Sequence, residues 1–445
     1  MISRRRTAAL AAAVATALVL TACGAGGRPD EGAASGEGGA SDVGITETSV
    51  KVGAHFPLTG VAAPGYSEIP TGTQAYFDFV NAAGGINGRQ IEYVYKDDAY
   101  NPTQTSQVAN ELVLQDQVFA ILSGLGTPTH SAVLEFLNSQ GVPDLFVSSG
   151  SLLWNQPEEY PWTFGWQPDY EIEGKIIGQY VAQNFPDAKV GLFLQDDDFG
   201  RDGEKGARQF LDEQIVAAER YTPGNTDVAP QIAALQAAGA DLVIGFNVPS
   251  YTALSQLVSL RLNYQPQWIY SNVGSDPALV GSLLSRFSEG AVTDAGLLEG
   301  VITTEYLPGV DQPDDPWTQL FQRVWDEHGG EGELTNFRVY GMAQAYTFVQ
   351  ALQAAGPNPT RQGIVDAIEQ AGAEFRGAWV APFRYGPNSH AGISGVQVTR
   401  ITGGTTEALT PVLVTDNGDT AITEATVEPT EPPADGIPDV EPAVS

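Results

Sequence analysis

Gly84-Gly85-Ile86-Asn87-Gly88-Arg89 divides two periodicities. Before it, residues 69–83 carry Tyr76, Phe77 and Val80 at helical spacing; after it, residues 91–96 read as a strand. Glycines in that position end a helix and turn the chain, because glycine alone reaches left-handed backbone conformations without a side-chain clash. The helix also has a strand before it, since residues 50–56 alternate β-branched or apolar positions with others. Strand, helix and strand in succession form the repeating unit of a parallel sheet.

The unit repeats outward. A helix from about 103 to 114, a strand at 118–122, a helix through 132–138 and a strand at 143–147 follow. A second series gives helix 170–184, strand 189–194, helix 202–212, strand 241–246, helix 251–262 and strand 267–270. This alternation predicts an α/β fold of two lobes, each a parallel sheet covered by helices on both faces. In such sheets ligands bind beyond the carboxyl ends of the strands, so the residues just after each strand are the candidates for function.

Two of these strand ends are rich in hydroxyls. The strand at 118–122 runs into Ser123-Gly124-Leu125-Gly126-Thr127-Pro128-Thr129-His130-Ser131, and the strand at 143–147 into Ser148-Ser149-Gly150-Ser151. Free amides at a helix start, joined by hydroxyls, make a cradle for a carboxylate. Simple capping of the helix by Thr127 or Thr129 is the plain alternative. The repetition of the pattern within one lobe favours a ligand.

In the second series, Gln195-Asp196-Asp197-Asp198-Phe199-Gly200-Arg201-Asp202 gathers carboxylates, but without the spaced ligands and closing Glu of a calcium loop. Solvated acids at a helix start, with Asp202 as the cap, are expected there. Asn247 and Val248 follow one later strand and Asn272 another, offering contacts from the far side of a cleft. Trp154, Tyr160, Trp162, Phe164 and Trp166 cluster where the chain crosses between lobes. Packing of the crossing accounts for most of them, with Trp154 and Tyr160 kept as candidates for an aromatic ligand wall.

Patterns such as Gly-x-Ser-x-Gly, His-Glu-x-x-His or a phosphate-binding loop do not occur. Gly124-Leu125-Gly126 opens like a dinucleotide loop, but Thr129 stands where the third glycine belongs. His55, His130, His328 and His390 form no ligand-spaced pair and are expected as ordinary surface or loop residues, so neither a metal nor a cofactor is expected. A surface hydrolase using Asp196 to Asp198, or Asp97 and Asp98, is a minor alternative, because adjacent loop acids mostly face water.

The ends of the chain differ from its middle. Arg4, Arg5 and Arg6 precede an apolar stretch from Ala8 to Leu20, then Leu20-Thr21-Ala22-Cys23, whose cysteine is the only one in 445 residues. Thirteen residues as a helix reach about 20 Å, too short for a bilayer core, so residues 1–22 read as a signal peptide. The order Leu-Thr-Ala-Cys resembles a bacterial lipobox, which implies a diacylated Cys23 and an anchor on the outer face of a membrane. Residues 23–48 are expected as a flexible tether, and 415–445, with many acids and prolines and no basic residue beyond 416, as a disordered acidic tail. The formal charge of −33 argues against nucleic-acid partners.

Taken together, the run at 84–89, the strand into Asp97-Asp98, Pro102 and the strand end at Ser123-Gly124 resemble the branched-chain amino-acid binding family, the type I periplasmic binding proteins of ABC importers. The resemblance implies two Rossmann-like lobes joined by three crossovers and closing on a ligand, with lobe one at 49–165 and 301–379 and lobe two at 166–300 and 380–414. It implies a monomer that captures a small solute and delivers it to permease subunits, without catalysis. By the same resemblance Thr127, Ser149 and Ser151 hold a ligand carboxylate, and Phe199, Asn247 or Val248, and Asn272 face it from lobe two. Asn272 stands where the family has an acid for the ammonium, so the expected ligand is a small carboxylate- or amide-bearing molecule. A sensory lipoprotein signalling to a membrane receptor is the alternative.

Overall fold

The computed structural model describes residues 41–292, 295–425 and 430–444. The expected signal peptide, Cys23 and the tether as far as residue 40 lie outside the described residues. Residues 41–48, expected as the end of the tether, are docked instead. Ile45 is buried, Lys51 N donates to Gly44 O at 2.8 Å, and Arg361 N donates to Asp42 Oδ2 at 2.7 Å. One apolar side chain beside a strand start is enough to pin so short a segment.

The described strands are β1 (Ser49–Phe56), β2 (Gln90–Asp97), β3 (Ala120–Leu122), β4 (Asp144–Val147), β5 (Thr163–Gly165), β6 (Val190–Gln195), β7 (Ile215–Tyr221), β8 (Leu242–Phe246), β9 (Gln267–Tyr270), β10 (Ile302–Glu305), β11 (Gly395–Thr402), β12 (Thr405–Val414) and β13 (Thr423–Glu424). They form two sheets. Lobe one orders its strands β2-β1-β3-β4-β5, all parallel. Lobe two runs β7-β6-β8-β9-β10 in parallel and continues antiparallel through β11, β12 and β13.

Each parallel set reverses its order once, between β1 and β3 in lobe one and between β6 and β8 in lobe two. At such a reversal the flanking helices leave on opposite faces and open a crevice at the carboxyl ends of the strands. The central strands are buried on both faces, as Ala54, His55 and Phe56 in β1 and the whole of β8 illustrate. This accounts for their near-continuous apolar runs.

Two expected boundaries move. Ile302 pairs with Ile269 of β9, and β10 also pairs with β11, so residues 302–305 belong to the second sheet rather than to lobe one. The second crossing comes after Glu305, and helices Pro316–His328, Asn336–Ala354 and Arg361–Ala371 then complete lobe one. The segment after Val414 differs more. Lys175 Nζ donates to Thr415 Oγ1, Asp416 O, Gly418 O and Thr420 O, closing a cage of oxygens around a buried ammonium. Farther on, Trp317 Nε1 donates to Thr430 O at 2.8 Å, Tyr76 OH to Gly436 O at 2.8 Å, and Ala443 N to Ala354 O at 2.8 Å. The described tail is thus held by donors from both lobes, which its own polar composition does not reveal.

Candidate functional site

The loop from β3 into helix Thr127–Ser139 is sewn between its neighbours. Leu125 N donates to His55 O at 3.1 Å and Gly126 N to Ser148 O at 3.2 Å. Gly126 has a φ of 102° and heads the helix without a side-chain cap. A β-carbon there would lie 2.5 Å from the Tyr100 ring, so both its conformation and its surroundings require glycine. Thr129 Oγ1 bonds back to Leu125 O at 2.5 Å, and Thr127 Oγ1 pairs with Ser149 Oγ at 2.7 Å. Neither threonine caps the helix; Gly126 N is taken by Ser148 O and Pro128 has no N–H, which leaves the Thr127 and Thr129 amides of the first turn without an acceptor among the described residues.

Beneath this loop lies a buried polar chain. His55 Nδ1 is 2.8 Å from Asp98 Oδ2, His55 Nε2 is 2.9 Å from His130 Nδ1, and His130 Nε2 is 2.8 Å from Asp144 Oδ2. The expectation of surface histidines fails for His55, His130 and His390, which are fully buried. Burial pushes the His55 pKa down against the pull of Asp98. His390 is held between Thr163 O and the Glu369 carboxylate.

Between the strand ends of the two sheets is a cavity of about 170 Å³. Of the candidates, Thr127, Phe199, Val248 and Asn272 line it. Ser149 sits one bond behind, holding Thr127. Ser151 is buried at the start of the short helix Leu152–Trp154, where its hydroxyl accepts from Leu153 N. Trp154 packs edge-on against His130, in a small cluster with Leu134 and Val147, and forms no part of the cavity lining. Asn247 turns inward to Thr252. Tyr160 packs against the same cluster as Trp154.

Asn272 lines the cavity but its amide is engaged. Its N and Nδ2 both donate to Glu173 Oε1 at 2.8 Å, while Ser271 and Thr304 supply two further hydroxyl donors to that carboxylate. The cap of helix Asp198–Leu211 is Asp197, which accepts from Phe199 N at 3.0 Å, and not Asp202. Asp202 instead accepts from Leu152 N at 3.0 Å, linking the lobes. Burial pushes its pKa up to about 6. Other bridges between the lobes are Ser250 Oγ to Val61 O at 2.8 Å and Asn336 Nδ2 to Asp276 Oδ2 at 2.7 Å.

Sequence reasoning missed most of the aromatic and acidic lining. Tyr66, Tyr100, Tyr170, Tyr306 and Tyr340 surround the space, and Asp276 and Glu305 bring carboxylates to it. Tyr170, Glu305 and Tyr306 stand where the chain crosses between lobes, and that position was the one signal available for them. Among the described lining residues there is no Lys, Arg or His. Hydroxyls and amides from both lobes and the carboxylates of Asp276 and Glu305 thus line the cavity without a cationic side chain beside them.

Comparison with known proteins agrees with this architecture. A family profile described as periplasmic binding protein matches residues 49–406. A Leu/Ile/Val-binding protein homolog of Brucella abortus is 28% identical over 338 residues, covering 74% of this chain and 84% of the relative. Among solved structures, a branched-chain amino-acid ABC transporter protein of Thermus thermophilus with bound valine superposes with a TM-score of 0.71 at 20% identity, covering 82% of this chain and 97% of that one. A fatty-acid ABC transporter substrate-binding protein of Thermomonospora curvata gives the same TM-score at 21% identity, covering 83% and 94%.

Proposed function

The chain belongs to the periplasmic binding protein family, and from that premise we propose that it is the solute-capturing component of an ABC importer, a monomer held at the outer face of a membrane through a lipid on Cys23. The solute is a small molecule bearing a carboxylate or amide, of the amino-acid class named for its Brucella relative. One observation carries this reading: a cavity at the carboxyl ends of both sheets, bridged by hydrogen bonds between the lobes and lined by the uncapped helix start at Thr127. A carboxylate set there meets free amides, a hydroxyl and the positive end of a helix dipole.

Closure supplies the signal for delivery. Ligand contacts shared by both lobes stabilise the closed form relative to the open one, and the permease reads the closed surface. A lipid tether keeps that encounter near the membrane plane and raises the effective concentration. Thermal-shift screening of the chain from residue 24 against amino acids, amides and organic acids tests the capture, because a ligand bound only by the folded form raises the melting temperature. Cys23→Ala tests the anchor: the protein is released from membranes and its affinity in solution is unchanged.

A further inference from the structure

We propose that residues 415–444 act as a strap that limits how far the two lobes open. A two-lobed protein opens by bending where its chain crosses between lobes. Here the crossings lead from β5 into helix Tyr170–Asn184, from β10 into helix Pro316–His328, and from helix Arg361–Ala371 into β11. The tail adds a further connection, and it lies beyond residues 49–406, the part matched to the family.

One end of the strap is built into lobe two. β13 pairs with β12, and Ala425 N donates to Val412 O at 2.8 Å. The oxygens around Lys175 Nζ hold residues 415–420 against helix Tyr170–Asn184. Glu171, buried on the same helix, accepts from Gly418 N at 3.2 Å and from Asn417 Nδ2 at 3.3 Å.

The other end is fastened to lobe one. Trp317 Nε1 donates to Thr430 O, Tyr76 OH to Gly436 O, Gln353 Nε2 to Pro438 O, and Ala443 N to Ala354 O. Ile437, Val440 and Val444 pack on the core beneath. The grip is thus spread over helices Ile69–Ala82, Pro316–His328 and Asn336–Ala354.

The strap runs beside the last crossing. Thr430 Oγ1 donates to Gly377 O at 2.6 Å, just before that crossing. Within it, Arg384 donates to Asp416 of the strap and to Asp169, the cap of helix Tyr170–Asn184. Ala425 and Thr430 are five steps apart in sequence, a reach of about 17 Å at full extension. Opening that carries these anchors farther apart has to break the bonds at one end first. A cleft so limited has fewer open arrangements, and less entropy is lost when the lobes come together.

The test lengthens the strap without removing an anchor, by inserting a flexible Gly/Ser segment of about 15 residues after Ala425 in the chain from residue 24. A second variant ends at Ala425. Spin labels on Gln104→Cys in lobe one and Thr226→Cys in lobe two, both exposed positions, report the separation of the lobes, and this chain has no other cysteine. Circular dichroism establishes that the variants are folded. With no solute added, the proposal expects one narrow distance in the strapped protein and additional, longer distances in both variants. The same distance distribution in all three proteins overturns it. Because the measurement uses no solute, a failed strap leaves the capture reading standing, and a failure of every solute to bind leaves the strap standing.

Discussion

Asn272 Nδ2 lies 2.8 Å from Glu173 Oε1, a contact between residues ninety-nine positions apart. The amide that lines the cleft is thereby fixed by a buried acid behind it. Burial raises the Glu173 pKa, while Thr304, Asn272 and Ser271 donate to its carboxylate and hold it down.

Glu173→Gln places an NH₂ group among these donors. The expected cost is about 2–4 kcal/mol of stability, the range for breaking a buried charged network by removing one acceptor. Urea unfolding measures it, with an unchanged slope marking a loss of stability and not of compactness.

The paired histidines make Gly124 irreplaceable in the same way. A β-carbon there would stand 2.5 Å from His130 Nδ1 and 2.7 Å from His55 Nε2. Gly124→Ala should therefore cost about 1–3 kcal/mol by overpacking. Calorimetry detects it as a lowered melting temperature, and weaker ligand binding accompanies it, because residues 124–127 are one loop.

How much of this was legible in the sequence varied with range. Helix Tyr170–Asn184 and strand Gln267–Tyr270 lie where their patterns put them, because each carries a long or strongly apolar run with clear boundaries. β7 escaped notice: it is an edge strand of mixed exposure, and its pairing with β6 defines it more than its own residues do. β10 is four residues of mostly polar character and is defined by β9 and β11. Within the site, the hydroxyl and glycine pattern around Thr127 is local and readable. Glu305, Tyr306 and Tyr340 arrive from distant segments, and only the fold brings them together.

The tail gives a direct contrast between composition and contact. Ending the chain at Val414 removes the four oxygens that cage Lys175 Nζ together with the segment that covers it. The truncated protein should melt several degrees lower. A melting temperature unchanged by the truncation is the result a disordered tail would give.

Acidic groups with raised pKa values set a pH dependence in the unliganded protein. Glu305 rises from its ordinary value of 4.5 to about 7 on burial, so the folded state favours its neutral form. Its contribution to stability is full below pH 4.5 and is lost as pH rises through 7. The difference in melting temperature between wild type and Glu305→Gln, followed from pH 4 to pH 8, should therefore move against the wild type as pH increases.

The most direct test of the account is isothermal titration of the amino-acid and amide panel into wild type and Thr127→Val. The account predicts one-site binding of at least one member, weakened about tenfold to a hundredfold when the Thr127 hydroxyl is removed, in line with loss of a hydrogen bond to a charged group. Binding of equal strength to both proteins, or binding of no member to the wild type, would contradict it.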